Sequence, residues 1–236
     1  MADSDPPISR RELASIELFR GVSAAALDEA RKSARRLIFS KDARVFDQGD
    51  TRVRAHALLK GIVRISQSGS DGAQIVIRFI GVGEIFGVAA AFTDHRYPAD
   101  ADTMAASVVV SWSEADLIRL IHRHPQVALN ALRIMGRRLA ELQNRLREVS
   151  TQSVERRVAH TILRLVRQFG REESFGTTIG LSLRRKDIAD IAGTTLYSVS
   201  RALTNWEKRG LLFTRDQSLT VTKLKDLRAI AEVIVS

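Results

Sequence analysis

The segment "RRKDIADIAGTTLYSVSRALTNWEKRGLL", Arg184–Leu212, decides the fold of the C-terminal part of this chain, because it predicts two helices joined by a tight turn. Ile188 and Ile191 give the first helix a buried side. Gly193 lies where the turn needs a residue that tolerates positive φ. The second helix carries apolar residues at the i, i+3, i+4, i+7 spacing, namely Val199, Ala202, Leu203 and Trp206. The segment therefore predicts helix, turn, helix.

The second helix, about 195–209, has a face that the apolar stripe does not use. Thr194 or Thr195 can cap its start. The residues left over on this face are Thr195, Tyr197, Ser198, Arg201 and Asn205. Such side chains donate and accept hydrogen bonds at base edges and phosphates, and a helix N-terminus favours anions. The alternative is two ordinary helices with a solvated face. The basic start of the first helix and a following hairpin, "LLFTRDQSLTVT", favour a winged DNA-binding domain.

Composition limits the possible classes of protein. The chain has 236 residues, a net charge of +10 and no cysteine. It therefore has no disulfide framework, cysteine nucleophile or cysteine-ligated iron–sulfur cluster. No apolar run is long enough to span a bilayer, and Met1–Arg11 lacks the pattern of a signal peptide. We expect a cytoplasmic protein whose partner is a polyanion, with nucleic acid as the first candidate and an anionic membrane surface as the second.

The middle of the chain, from Ala43 to Trp112, is rich in short β-prone runs. They are "ARVF", "HALL", "IVRIS", "QIVIRFI", "EIF" and "SVVVSW". Turn signals separate them at Gly49-Asp50, Gly61, Asp71-Gly72 and Gly83. This pattern predicts an antiparallel barrel, sandwich or jelly roll. The preceding residues, about 12–36, read as short helices, one of them capped by Ser23, and most of the chain after Glu114 reads as helical.

A long helix begins at Pro125, a residue suited to a first helical turn. Six apolar residues follow at spacings of 3, 4, 3, 4 and 3, namely Leu132, Met135, Leu139, Leu142, Leu146 and Val149. We call them the seam. Arginines form much of the remaining helix surface, at Arg133, Arg137, Arg138, Arg145 and Arg147. This stripe is narrow, which favours a parallel coiled coil with a second copy of the chain. The alternative is a helix that lies on the core of its own domain. Polar Ser150–Ser153 predicts a hinge, followed by another helix to about Phe169.

This order of elements resembles the CRP/FNR family of bacterial transcription regulators. "VFDQGD", "LLKGIVRI" and "GEIFG" resemble its β-roll motifs, and the segment quoted first resembles its winged helix. The resemblance implies an α+β fold: N-terminal helices with an antiparallel, jelly-roll-like β-roll sensor domain (1–124), a dimerisation helix (125–150) and a winged helix-turn-helix domain (151–236). It also implies a homodimer, an inverted repeat in double-stranded DNA and RNA polymerase as partners.

The resemblance carries over to particular residues. Ser200 and Arg201 match the family's recognition helix, where Arg201 would bind guanine O6 and N7. Arg185 matches a phosphate contact. Tyr197 replaces the family's base-reading glutamate; a phenol reaches a phosphate or packs on a thymine methyl, and Leu196 beside it is apolar. The expected DNA-contacting residues are Arg184, Arg185, Thr195, Leu196, Tyr197, Ser198, Ser200, Arg201 and Asn205.

The effector predicted for the β-roll is not cAMP. Members that bind cAMP hold the ribose with a glutamate after "GEIFG" and the phosphate with an Arg-Ser pair, where this chain has Val88 and Ala99-Asp100. Exchanging a cation for an anion beside a phosphate changes the interaction by up to about 8 kcal/mol. The residues expected at the effector site are Phe86, Gly87, Val88, Ala99 and Asp100. "VAAAF", Val88–Phe92, predicts an apolar pocket or simple core packing.

Other cofactors and functions have less support in the sequence. A haem sensor would need a ligand from among His56, His95, His122, His124 and His160, each of which also suits an ordinary core or surface position. No three-residue metal set or nucleophile–base arrangement is visible, so we expect no metal and no enzymatic activity. The alternative function is a cyclic-nucleotide- or haem-binding sensor module that regulates through the β-roll.

Overall fold

In the computed structural model the described residues are 7–70, 72 and 74–232. The chain divides into two compact units, Met1–Ala73 with Ile77–Ala140, and Gln74–Val76 with Glu141–Ser236. Two features considered in the sequence, the first six residues and Asp71 of the predicted turn, lie outside the described residues. Within the described ranges, no helix combines the length and apolar character needed to cross a membrane.

The N-terminal unit begins with short helices. They are α1 (Arg10–Ala14), a 3₁₀ turn (Glu17–Phe19) and α2 (Ala24–Ser33). Ser23 caps α2, because its side chain accepts a hydrogen bond from the backbone N–H of Ala26, as predicted. The prediction of helix to about residue 36 was wrong at its end, since the first strand begins at Arg35.

In the described part of the N-terminal half, eight strands form two four-stranded antiparallel sheets. They are β1 (Arg35–Phe39), β2 (Arg44–Phe46), β3 (Arg54–Lys60), β4 (Val63–Ser68), β5 (Gln74–Ile80), β6 (Ile85–Phe86), β7 (Asp100–Thr103) and β8 (Ser107–Ser113). The strand orders are β1-β8-β3-β6 and β2-β7-β4-β5, which is the arrangement of a jelly roll. The predicted antiparallel β-roll is confirmed. β1 and β7 were not predicted.

The core of this unit explains two sequence features. Trp112 is fully buried, and its indole N–H donates to the carbonyl of Ala30 on α2 at 2.8 Å. Gly61 has φ of 95°, and a Cβ there would lie 2.2 Å from the Ser107 side-chain oxygen. Only glycine fits this turn, which accounts for one of the recurring glycines in the sequence.

After α3 (Glu114–Arg123), helix α4 runs from Pro125 to Thr151. Val127 and Ile134 bury one side of it in the N-terminal core. Asn130 is buried with its amide donating to the carbonyls of Leu18 and Arg20 at 2.9 and 2.8 Å. The helix extends through two of the four residues predicted as a hinge and ends before Gln152.

The C-terminal unit combines helices with a small sheet. Its elements are α5 (Val154–Phe169), β9 (Gly170–Glu173), β10 (Gly176–Ile179), α6 (Arg185–Ala192), α7 (Leu196–Lys208), β11 (Leu212–Arg215), β12 (Ser218–Val221) and α8 (Leu224–Glu232). The sheet order is β11-β12-β10-β9. The predicted hairpin is present as β11 and β12, joined by Asp216 and Gln217 at φ of 51° and 60°, the mirror-image turn that matches strand twist. β9 and β10 were not predicted.

Candidate nucleic-acid interface and effector site

The turn between α6 and α7 has the geometry that the sequence predicts. Gly193 ends α6 in the left-handed region at φ of 61°. Thr195 is the N-cap of α7, its hydroxyl oxygen accepting from the backbone N–H of Ser198 at 3.2 Å. The capped helix start therefore has a fixed direction relative to α6.

Helix α7 separates a buried stripe from an exposed face. Val199, Leu203 and Trp206 are at most 1% exposed. Trp206 donates from its indole N–H to Glu155 on α5 at 3.0 Å. Tyr197, Arg201 and Asn205 are exposed on the other side of the helix, Thr195 and Leu196 are exposed at its start, and Ser198 and Ser200 are half-buried. Tyr197, Arg201 and Asn205, three of the residues predicted to contact DNA, thus share one accessible side of α7.

The cations near this surface differ in their surroundings. Arg184 pairs with the buried carboxylate of Asp187 at 3.0 Å. Arg185 lies 3.6 Å from Glu207, and Lys186 lies 3.4 Å from Asp190. Arg201 is exposed and makes no hydrogen bond or ion pair with any described residue. Its guanidinium donors are therefore available to a ligand.

Arg157 and Arg145 hold the turn in place, a role that the sequence does not predict. The guanidinium of Arg157 on α5 donates to the carbonyls of Gln152, Ala192 and Gly193 at 3.2, 3.1 and 3.0 Å. Arg145 on α4 donates to the carbonyl of Ile191 at 2.6 Å, and burial lowers its pKa. These bonds satisfy the last carbonyls of α6 and join the end of α4 to the turn before α7. Nothing in local periodicity identifies them.

The seam of α4 is largely exposed in the single chain. Leu132, Leu139, Leu142, Leu146 and Val149 have between 44% and 69% of their surface accessible. Met135 is the exception, because it packs partly against the N-terminal core. The expectation that arginine covers the rest of the helix surface was wrong for Arg138. Burial and the charge of Arg78 lower its pKa to about 10, and it donates to the carbonyl of Ile85.

The residues expected at the effector site are packed inside the β-roll. Phe86, Val88 and Ala99 are buried, and Gly87 is left-handed at φ of 73°. Asp100 accepts from the Arg44 guanidinium at 2.6 Å and from the backbone N–H of Gln48 at 2.8 Å. Arg44 also donates to Asp102 at 2.6 Å. The carboxylate that replaces a phosphate-binding residue therefore has an internal counter-ion.

An aromatic cluster fills the neighbouring part of the β-roll. Tyr97 stacks on Phe46 with ring centroids 3.7 Å apart, and its hydroxyl accepts from the Arg54 N–H at 2.7 Å and donates to the Arg54 carbonyl at 2.9 Å. Burial raises the pKa of Tyr97. His56 lies 3.2 Å from the same hydroxyl and stacks on Phe86. Burial, with the charge of Arg54, lowers the pKa of His56 to about 3, so its imidazole is neutral.

The histidines considered as cofactor ligands are dispersed. His95 pairs with Glu114 and His124 with Glu29, each at 2.9 Å, while His56 is enclosed by aromatic rings. Over the described part of the chain, no group of three or more His, Cys, Asp or Glu side chains is arranged to hold a metal ion.

Comparison with known proteins matches both parts of the chain. The family model for the cyclic nucleotide-binding domain matches residues 36–124, and that for the Crp-like helix-turn-helix domain matches residues 156–230. The CRP-like cAMP-activated global transcriptional regulator of Mycobacterium tuberculosis is 26% identical over 210 residues, 89% of this chain and 94% of that protein. The nitrogen fixation regulation protein FixK of Rhizobium meliloti is 28% identical over 214 residues, 89% of this chain and 95% of that protein. The structure of FixK2 from Bradyrhizobium japonicum aligns with a TM-score of 0.75 at 21% identity, over 86% of this chain and 99% of that one.

Proposed function

We propose that this chain, which belongs to the CRP/FNR family of transcription regulators, works as a homodimer that binds an inverted repeat in double-stranded DNA. In this proposal the β-roll effector domain spans 1–124, the dimerisation helix 125–150 and the DNA-binding domain 151–236. The homodimer forms through the seam of α4, and each copy places α7 in the major groove. The protein acts on chromosomal DNA in the cytoplasm and carries out no catalytic step.

The observation that carries the proposal is the free guanidinium of Arg201 on the outer face of α7. Two parallel N–H donors of arginine match the O6 and N7 acceptors of guanine, the commonest specific contact in the major groove. Arg184 and Arg185, at the start of α6, are paired with carboxylates, and we assign them contacts with phosphates, which carry no sequence information, instead of contacts with bases. Arg201 is therefore proposed to read a guanine in each half-site.

The proposed regulator does not respond to cAMP. Val88 stands in place of a ribose-binding glutamate, and Asp100 with its partner Arg44 stands in place of a phosphate site. A cyclic nucleotide would have to displace that carboxylate from Arg44 and then remain beside it. The Mycobacterium tuberculosis relative is named as cAMP-activated, so it serves as a positive control. Calorimetry should detect cAMP binding to that protein and none to this one, and micromolar or tighter binding here would overturn the exclusion.

The DNA contact is tested by selecting bound sequences from random DNA and then titrating variants. Arg201→Ala should lose about 1–3 kcal/mol per half-site on the selected operator and relax the preference for guanine. Titrations would use the selected operator, an operator with that guanine replaced, and random DNA. Arg209→Ala is the matched control, because it removes one arginine from the other end of the same helix.

Two results would contradict the assignment of Arg201. One is an equal loss of affinity for all three DNAs, and the other is full discrimination at the guanine in Arg201→Ala.

RNA polymerase is proposed as the further partner. Transcription with purified polymerase from a template carrying the selected operator, compared with a scrambled operator, tests that part separately.

A further inference from the structure

We infer that Arg157 is a positioning residue that holds α7 in a fixed direction relative to the seam, and so makes the dimer accept only one half-site spacing. The inference rests on the proposed function, since it concerns how the two α7 helices of the proposed dimer are held. Arg157 contacts no base in this assignment. It acts on recognition only through the direction of α7.

The guanidinium of Arg157 bonds the ends of two helices at once. Nη1 donates to the carbonyl of Val149, in the last turn of α4, and to that of Gln152, at 3.4 and 3.2 Å. Nε and Nη2 donate to the carbonyls of Ala192, the last residue of α6, and of Gly193, at 3.1 and 3.0 Å. Carbonyls at a helix C-terminus have no partner within the helix and carry partial negative charge. Arg157 therefore stabilises both helix ends and connects them.

The seam and the turn before α7 also lie directly against each other. A Cβ at Gly193 would lie 3.4 Å from a methyl carbon of Val149, the last residue of the seam. Val149 has 44% of its surface exposed, so a second copy can pack against the same side chain. Leu142, Leu146 and Val149 belong to the same compact unit as α7. The turn before α7 is thus joined to the part of α4 that carries these seam residues.

Two further arginines stabilise this connection. Arg164 on α5 donates to both carboxylate oxygens of Glu148 on α4 at 2.8 and 2.7 Å, and Glu148 is buried. This pair fixes α5 against the end of α4. Arg145 on α4 donates to the carbonyl of Ile191 on α6 at 2.6 Å. Arg157 and Arg145 then hold α6 on this support, and Arg157 is the one that reaches the turn itself.

The spacing of the half-sites demands a particular direction of each α7. One base pair added between the half-sites moves the second by about 3.4 Å along the duplex and about 35° around it. Both α7 helices can then enter their grooves only if they turn relative to the seam, and that turn breaks the bonds of Arg157. Binding to such a site is therefore weaker by the free energy of those bonds. Without Arg157 the same turn costs less.

The test measures the affinity for the selected operator, for operators with one base pair added or removed between the half-sites, and for a single half-site. In Arg157→Ala the ratio of affinities for the selected and altered operators should fall about tenfold, the equivalent of one charge-assisted hydrogen bond. The single half-site and its guanine preference should be unaffected, because Arg157 contacts no base.

Two other variants separate the bridge from the charge. Arg157→Lys keeps the positive charge, but one nitrogen cannot bond both helix ends, so its spacing profile should resemble that of Arg157→Ala. Arg156→Ala is the matched control, because it removes the neighbouring arginine of α5, whose Nε donates to the carbonyl of Ala231 on α8 at 3.1 Å. It should keep the spacing profile of the parent chain.

The outcomes separate this inference from the proposed function. If the parent chain prefers one spacing and Arg157→Ala keeps the same profile, the inference fails and the proposed function stands. The inference also fails if Arg157→Lys retains full selectivity, if Arg156→Ala loses it equally, or if Arg157→Ala loses the single half-site. If the parent chain itself is indifferent to spacing, the proposed reading of an inverted repeat by a dimer fails.

Discussion

At the start of α6, the cations most suited to phosphate contact already have acidic neighbours. Arg185 lies 3.6 Å from Glu207, and both side chains are partly exposed. Exposed pairs of this kind contribute only about 0.2–1 kcal/mol, so a DNA phosphate can displace the carboxylate. The carboxylate remains nearby, however, and repels the phosphate. Glu207 is therefore expected to weaken whatever contact Arg185 makes.

The first prediction concerns this pair. Arg185→Ala should weaken binding to all sequences about equally and reduce the slope of log K against log salt by roughly one, because a phosphate contact carries no sequence information. Glu207→Gln should tighten binding to all sequences. The measurement is a set of titrations with operator and random DNA at several salt concentrations. A change of base preference in Arg185→Ala, or weaker binding by Glu207→Gln, would show that the pair does not face phosphate.

A second prediction follows from the buried His56. Its pKa of about 3 in the folded chain lies below the ordinary value of about 6.5, so between these values the unfolded chain binds a proton that the folded chain does not. Stability should therefore fall as the pH is lowered below about 6.5, by about 1.4 kcal/mol per pH unit. Measurements between pH 7 and 5 stay above the ordinary carboxyl pKa values, which are about 4.

Unfolding in urea is monitored by the fluorescence of Trp112, which belongs to the same unit as His56. Because the chain has two tryptophans, the measurement uses a Trp206→Phe background. His56→Met should flatten the pH dependence over this interval. His122→Gln, a change at an exposed histidine, should leave it unaltered. An equal slope in the parent and His56→Met would refute the assignment.

At this scale the sequence predicts those features that depend on a local pattern. Helix α7 has 3.6 residues per turn, so the positions of its buried apolar residues determine which positions face solvent. Arg201 is at one of the solvent-facing positions. The partners of charged groups were not foreseeable in the same way. Arg44 and Asp100 are 56 residues apart and meet only because β2 and β7 are paired. Glu207 is the neighbour of Arg185 because of the way in which α6 and α7 cross.

At the scale of elements, the predicted strands are those with enough apolar residues to cover a core. β5 and β8 are rich in valine and isoleucine, and both were found from the sequence. β7 is "DADT", a composition disfavoured in strands, and it is stabilised in its sheet by the ion pairs of Asp100 and Asp102 with Arg44. β9 is "GREE", four exposed residues held by pairing with β10. Neither strand has an alternating pattern to detect.

The third prediction concerns α4, which has two apolar sides. Val127 and Ile134 are buried in the N-terminal core, while the seam is mostly exposed, as expected of an interaction surface. Leu139→Glu with Leu142→Glu should give monomers in sedimentation equilibrium, because the dimer would bury like charges against each other. Ala140→Glu with Asn144→Glu puts the same charges on exposed positions off the seam and should leave the dimer intact. A full-strength dimer in the first variant would show that the seam assignment is wrong.

At the scale of the whole molecule, we expect the net charge of +10 to give affinity for any DNA, and we expect the symmetry of a dimer to set the spacing of its contacts. Each copy presents one α7, so a two-fold dimer offers two identical readers. In the proposed complex, single-chain features such as Arg201 determine which bases are read. The dimer determines how far apart the two readings must lie, a property that no residue of one chain specifies.

The last prediction is the spacing of the operator. Two recognition helices related by a two-fold axis enter successive major grooves about 34 Å apart, so the selected sites should be inverted repeats with half-site centres one turn apart. Inserting about 5 base pairs moves the second half-site to the opposite side of the duplex and should reduce the affinity to that of a single half-site. Inserting one full helical turn returns the second half-site to the original side of the duplex but leaves the two half-sites farther apart. It should therefore not recover binding by a rigid dimer. Titrations over such a spacing series, repeated with the Leu139→Glu, Leu142→Glu variant, measure this. The variant should be indifferent to spacing, and indifference of the parent chain as well would mean that it reads DNA one copy at a time.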